Sequence, residues 1–92
     1  MNSFGEYIRN RREQLGLPLR KVAAELDIDT SILSKIERNE RVATKEMLPV
    51  FSKALDIPIK EIQIEFIRSS VLSELGDLEF LTDGLKNVLK KI

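Results

Sequence analysis

The fold turns on the stretch "LGLPLRKVAAELDIDTSILSKIERNER", Leu15 to Arg41. Gly16 stands where a left-handed residue ends a helix. Leu17 and Pro18 then make a tight connection, since proline fixes its own φ and pushes the preceding residue out of the α region. Leu19, Val22, Ala23 and Leu26 form the apolar stripe of a short helix, Leu19 to Leu26. Asp27 and Ile28 separate it from a third helix, about Thr30 to Asn39, which Asp29 is placed to cap. On that third helix Leu33 and Ile36 share one face with Glu37, while Thr30, Ser31, Ser34 and Lys35 lie largely opposite. Solvated helix faces usually carry long charged side chains. This one carries three hydroxyls and a single lysine.

Upstream, Ser3 and Glu6 have the spacing of a capping box. Phe4, Ile8, Arg12 and Leu15 then fall on one face of a first helix that ends at Gly16. Downstream of the polar "NERVAT" loop, Thr44 is placed to cap a fourth helix reaching about Leu55, with Leu48, Phe51, Ala54 and Leu55 inside. Pro49 loses an intrahelical bond in that frame, so a kink or a later start is expected. "DIP" at 56–58 is a turn with Pro58 at a first helical position. From Ile59 the pattern reads as one long helix or two. Ile59, Ile62, Phe66, Ile67, Val71, Leu72 and Leu75 lie on a broad stripe, and after "GD" at 76–77 Leu78, Leu81, Leu85, Val88 and Ile92 repeat at three and four residues. Gly84 interrupts that pattern, and Thr82 is an alternative cap for a separate last helix.

The 92 residues, 42% hydrophobic and 33% charged, are enough for one core and describe an ordinary globular chain. Cysteine and histidine are both absent, which removes disulfides, thiol nucleophiles, Cys/His zinc sites and histidine acid–base chemistry. "DID" at 27–29 lacks the spaced oxygen ligands of a calcium loop. No enzyme activity, metal, cofactor or small-molecule substrate is therefore expected. No apolar run approaches the roughly 20 residues of a membrane span and no signal-peptide pattern is visible, so a cytoplasmic address is expected. Fifteen basic groups balance fifteen acidic ones, and residues 1–41 hold eight against seven. A nucleic-acid partner must then be argued from where charges sit, not from their sum.

Two helices separated by three or four residues, the first with a small alanine on its inner face, have helix-turn-helix spacing. Together with "SKIER" at 34–38 and "KALDI" at 53–57, the stretch resembles the Cro- and Xre-type helix-turn-helix domains of phage and bacterial repressors over about residues 4–66. The resemblance implies an all-α, five-helix Cro/repressor-like domain at 1–67, with residues 68–92 a C-terminal helical extension. "LPLRKVA" and "SILSKIER" are further similar to controllers found beside restriction–modification and methyltransferase genes.

In such domains the third helix enters the major groove of double-stranded DNA. Thr30, Ser31 and Lys35 are then the base-edge residues, with Ile32 and Ser34 at the border. A helix about 10–12 Å across fits a groove about 12 Å wide only when its outward side chains are short. Arg20 and Lys21 on one side, and Arg38, Asn39 and Arg41 on the other, are the expected phosphate contacts. Two positions depart from the family pattern: Leu19 replaces a phosphate-binding Gln, and Asp27 replaces the turn Gly. The resemblance also implies a partly buried ion pair between Arg12 and Glu37, orienting the recognition helix.

Leu78, Leu81, Leu85, Val88 and Ile92 make an apolar surface that either folds back onto the domain or forms a dimer seam, with a homodimer expected. The implied function is transcriptional regulation at a pseudo-palindromic operator. An antitoxin, whose C-terminal helices neutralise a partner protein while the domain autoregulates, is the alternative.

Overall fold

The first helix begins where Ser3 stops being extended. The computed structural model, which describes residues 3–92, places α1 over Phe4–Gln14, with the Glu6 amide donating to Ser3 Oγ at 3.1 Å. The Ser3 hydroxyl in turn donates to the Glu6 carboxylate at 3.4 Å. α2 spans Leu19–Leu26, α3 Thr30–Glu37, α4 Leu48–Ala54, α5 Ile59–Leu75 and α6 Leu81–Leu89, with a single 3-10 turn at Lys45–Met47. Among the described residues there is no strand. No helix is long and apolar enough to cross a membrane.

Four successive helices end the same way. Gly16, Asp27, Asn39 and Asp56 all have positive φ. After each, the next amide reaches back to a carbonyl inside the last turn: Leu17 to Arg12, Ile28 to Ala23, Glu40 to Lys35 and Ile57 to Ser52. This motif satisfies carbonyls that a helix end otherwise strands. Only the first of the four uses glycine. Asp27 therefore occupies the left-handed turn that glycine would take more cheaply, which is why its departure from the family pattern leaves the turn intact. The same geometry ends α3 at Glu37 rather than Asn39, because Asn39 is already left-handed.

Helix starts differ more from expectation. Asp29 and Thr44 stand at cap positions, but neither side chain makes a capping bond. Pro49 lies at the second position of α4, and a 3-10 turn takes up the three residues before it, so the later start is the one realised. Pro58 is the cap of α5 and Ile59 its first helical residue.

The core gathers Phe4 and Ile8 of α1, Val22 and Ala23 of α2, Leu33 and Ile36 of α3, Phe51 and Leu55 around α4, and Ile62 of α5. Phe4 packs edge-on against Phe51 (6.1 Å, 77°) and Phe66 (5.3 Å, 80°), tying α1 to both later helices. Its amide donates to Ser69 Oγ at 3.1 Å, and Tyr7 OH donates to Glu61 at 2.8 Å. Arg11 reaches the Leu55 and Asp56 carbonyls at 2.8 and 3.0 Å, strapping the α4–α5 turn to α1.

Two expectations are corrected. Leu15 is exposed, because it follows the last turn of α1 where the chain leaves the core. The broad stripe expected from Ile59 to Leu75 is two stripes. Ile62 is fully buried and Phe66 packs on the core, whereas Ile64 and Ile67 are 53% and 60% exposed. The segment from Ile59 is two helices, separated by residues 76–80. Residues 67 and 68 both lie within α5, so the extension begins as an unbroken continuation of that helix. No residue of α6 is buried.

Candidate nucleic-acid interface

α3 is fastened from beneath. Leu33 and Ile36 are sealed in the core, and Glu37 beside them is 4% exposed, the one charged side chain buried to that degree. Arg12 meets it with two parallel bonds, Nε to Oε2 at 2.8 Å and Nη2 to Oε1 at 3.0 Å. Nη1 of the same guanidinium donates to the Leu17 carbonyl at 2.8 Å. One side chain thus fixes α1, α3 and the approach to α2. The planar fork of arginine suits this and the point charge of lysine does not. The Glu37 bond holds the Arg12 pKa above even its ordinary high value, against the opposing effect of burial. Every buried side-chain polar atom among the described residues has a partner.

The opposite face of α3 is open. Thr30, Ser31 and Lys35 are exposed, while Ile32 and Ser34 are half-buried. Arg20 and Lys21 are exposed in the first turn of α2, whose cap is Pro18 and whose first amides have no side-chain partner. Arg20, Lys21, Lys35 and Arg41 enter no ion pair among the described residues. Their charge is available to an external anion.

The residues after α3 are differently placed. Arg38 is paired with Glu40 at 3.2 Å and its Nε donates to the Ser34 carbonyl at 3.3 Å. Asn39 donates from Nδ2 to Ser3 Oγ at 2.6 Å, so its side chain braces the start of α1. Arg41 lies on the α3–α4 connection and borders a groove of about 400 Å³ shared with Val42, Ser70 and Glu74.

Gly5 was not singled out from sequence, yet it sets how closely α1 approaches the end of α3. A Cβ there would collide with the Ile36 carbonyl and press on the Glu37 carbonyl and Asn39 side chain at 2.9 Å. Asp29, read as a cap, leaves its carboxylate unbonded and exposed next to Thr30. Local sequence offers no signal for Gly5, because its neighbours lie thirty residues away.

No curated protein and no solved structure matches the chain. The model of a helix-turn-helix family does match, over residues 8–62, more than half of the length and the same span that holds most of the core. A buried arginine–glutamate clamp beneath α3, an open short-chained face above it and this family match agree: the chain belongs to the Cro/Xre-type helix-turn-helix family of DNA-binding transcriptional regulators.

Proposed function

We propose that the chain is a homodimeric regulator that binds a pseudo-palindromic operator, with α3 of each copy in the major groove. The observation that carries this is the open face of α3, short-chained and flanked by basic groups that no internal carboxylate neutralises. Lys35 donates to guanine O6 or N7, and the Thr30 and Ser31 hydroxyls bond base edges with little discrimination. Ile32 meets a thymine methyl, and Ser34 borders the backbone. Arg20 and Lys21 hold phosphates at the start of α2. Asn39 contributes by holding α1 to α3, and Arg38 contacts phosphate only after leaving Glu40.

Leu78, Leu81, Leu85, Val88 and Ile92 support the two-fold arrangement, since none is buried within one copy. Operator occupancy blocks or recruits polymerase according to operator position. The regulated gene is an adjacent restriction–modification or methyltransferase gene, a reading supported by the "LPLRKVA" and "SILSKIER" segments.

Selection from random double-stranded DNA tests the proposal. It should return a two-fold site, found again in the DNA flanking the chain's own gene. With about four to six phosphate contacts per dimer, log K should fall with log salt at a slope of about −4 to −5. No enriched site, or a flat salt dependence, rejects it.

A further inference from the structure

α5 carries a second apolar face that the domain does not use. Ile62, Phe66 and Ser69 turn toward α1 and the core. On the other side Ile64, Ile67, Val71 and Leu75 recur at three and four residues. Ile64, Ile67 and Leu75 are 53%, 60% and 42% exposed. This stripe runs into a groove of about 440 Å³ between the end of α5 and α6, walled by Leu75, Leu78, Leu81, Gly84, Leu85 and Val88, with Glu79 its one charged lining residue.

We propose that two copies pair through α5, antiparallel about Val71, each seating Ile64 and Ile67 in the other's groove. The register follows from the spacing. With Val71 on the two-fold axis, Ile67 lies opposite Leu75 of the second copy and Ile64 opposite its Leu78, where the groove opens. Stripe and groove are thus self-complementary, as a two-fold contact requires. Lys60, one turn before Ile64 on the same stripe, falls toward the rim that carries Glu79.

Area selects a second copy as the occupant. The large apolar side chains left exposed from Ile64 to Ile92 present roughly 1,000 Å², against a largest patch of about 300–600 Å² on ordinary monomers and about 800 Å² per partner in a stable interface. The helix rise then separates the two Ile62 anchors by about 27 Å along the seam. That is on the scale of the one-turn half-site spacing of about 34–36 Å. The inference rests on the dimeric reading above and makes the residues expected as the seam the walls of a groove.

Cysteine scanning tests the register, because the chain has no native cysteine. In an antiparallel pair only the residue on the axis meets its own symmetry mate. Under mild oxidation Val71→Cys should form a disulfide dimer at least ten-fold faster than Ile64→Cys, whose two copies lie about 21 Å apart. Ile67→Cys combined with Leu75→Cys should cross-link, while Ile67→Cys alone should not. Ile67→Glu should sediment as a monomer with its helical circular dichroism unchanged. Cross-linking of Val71→Cys no faster than Ile64→Cys, or a wild-type monomer at 10 μM, overturns the pairing. A Val71→Cys dimer whose parent selects no DNA site leaves the pairing standing and overturns the operator reading instead.

Discussion

Arg12 on α1 and Glu37 on α3 form a two-pronged ion pair at 2.8 and 3.0 Å, with side chains only 11% and 4% exposed. Both charges have left water, so each depends on the other. Arg12→Ala or Glu37→Ala should cost about 3–5 kcal/mol, because the survivor is buried unpaired. Replacing both with Met should recover most of that loss. Denaturant melts of the two single variants and the double variant check this. Single variants near wild-type stability would show that the pair is solvated.

Gly5 should resist enlargement. Gly5→Ala forces α1 away from the Ile36 carbonyl and should cost about 1–3 kcal/mol, the range for overpacking a tight contact. Because the displaced carbonyls belong to the end of α3, its DNA affinity should also fall at constant salt. Thermal melts and a binding titration read the two effects separately.

Asp27 and Asp56 sit at φ values of 56° and 51° that glycine adopts at less cost. Asp27→Gly and Asp56→Gly should each stabilise the fold by up to about 1 kcal/mol. Asn39→Gly, at φ 62°, should not gain, since it also removes the bond to Ser3. Chemical denaturation of the three variants would reveal the contrast. Equal gains at all three positions would mean that the Asn39–Ser3 bond adds nothing.

Tyr7 titrates late. Partial burial, and then its bond to the Glu61 carboxylate and that group's charge, push its pKa well above the ordinary value near 10. The unfolded chain therefore releases this proton at lower pH than the folded one. Stability from the group is complete below about pH 10 and is lost as pH rises toward the folded value. Tyr7→Phe should lack that alkaline loss. As the chain's one tyrosine, with no tryptophan present, Tyr7 can be followed directly by phenolate absorbance. A midpoint near 10 in the folded protein would contradict the Glu61 bond.

Lys35→Ala should leave the fold unchanged, since Lys35 is exposed and in no ion pair among the described residues. Its operator logo should lose one guanine preference, at a cost of about 1–3 kcal/mol on the best site. Arg20→Ala should instead weaken all sequences alike and reduce the salt slope by about one. An unchanged logo for Lys35→Ala at full affinity would remove Lys35 from base recognition.

Much of this was legible before any coordinates. The stripes of α1, α2 and α3, the turn between α2 and α3, and the pairing of Leu33 and Ile36 against a face of hydroxyls all follow from helical periodicity, which a short amphipathic segment expresses in its own residues. Arg12 and Glu37 became a pair through resemblance, and the structure adds the third bond, to Leu17. The phosphate set was less legible. Arg38 and Asn39 belong to a basic, polar run, but nothing local says that Glu40 and Ser3 engage them.

The sequence by itself determined that this is a helix-turn-helix domain with a short-chained third helix, because apolar spacing fixes which way each amphipathic helix turns. Only the tertiary structure decided which side of α5 is core. A helix apolar on two faces has no unique phase, and Ile62 was chosen over Ile64 by the Phe4–Phe51–Phe66 packing it joins. The same holds for Gly5, whose constraint comes from carbonyls thirty residues on. Periodicity is a property of the chain. Choice of partner is a property of the packed molecule.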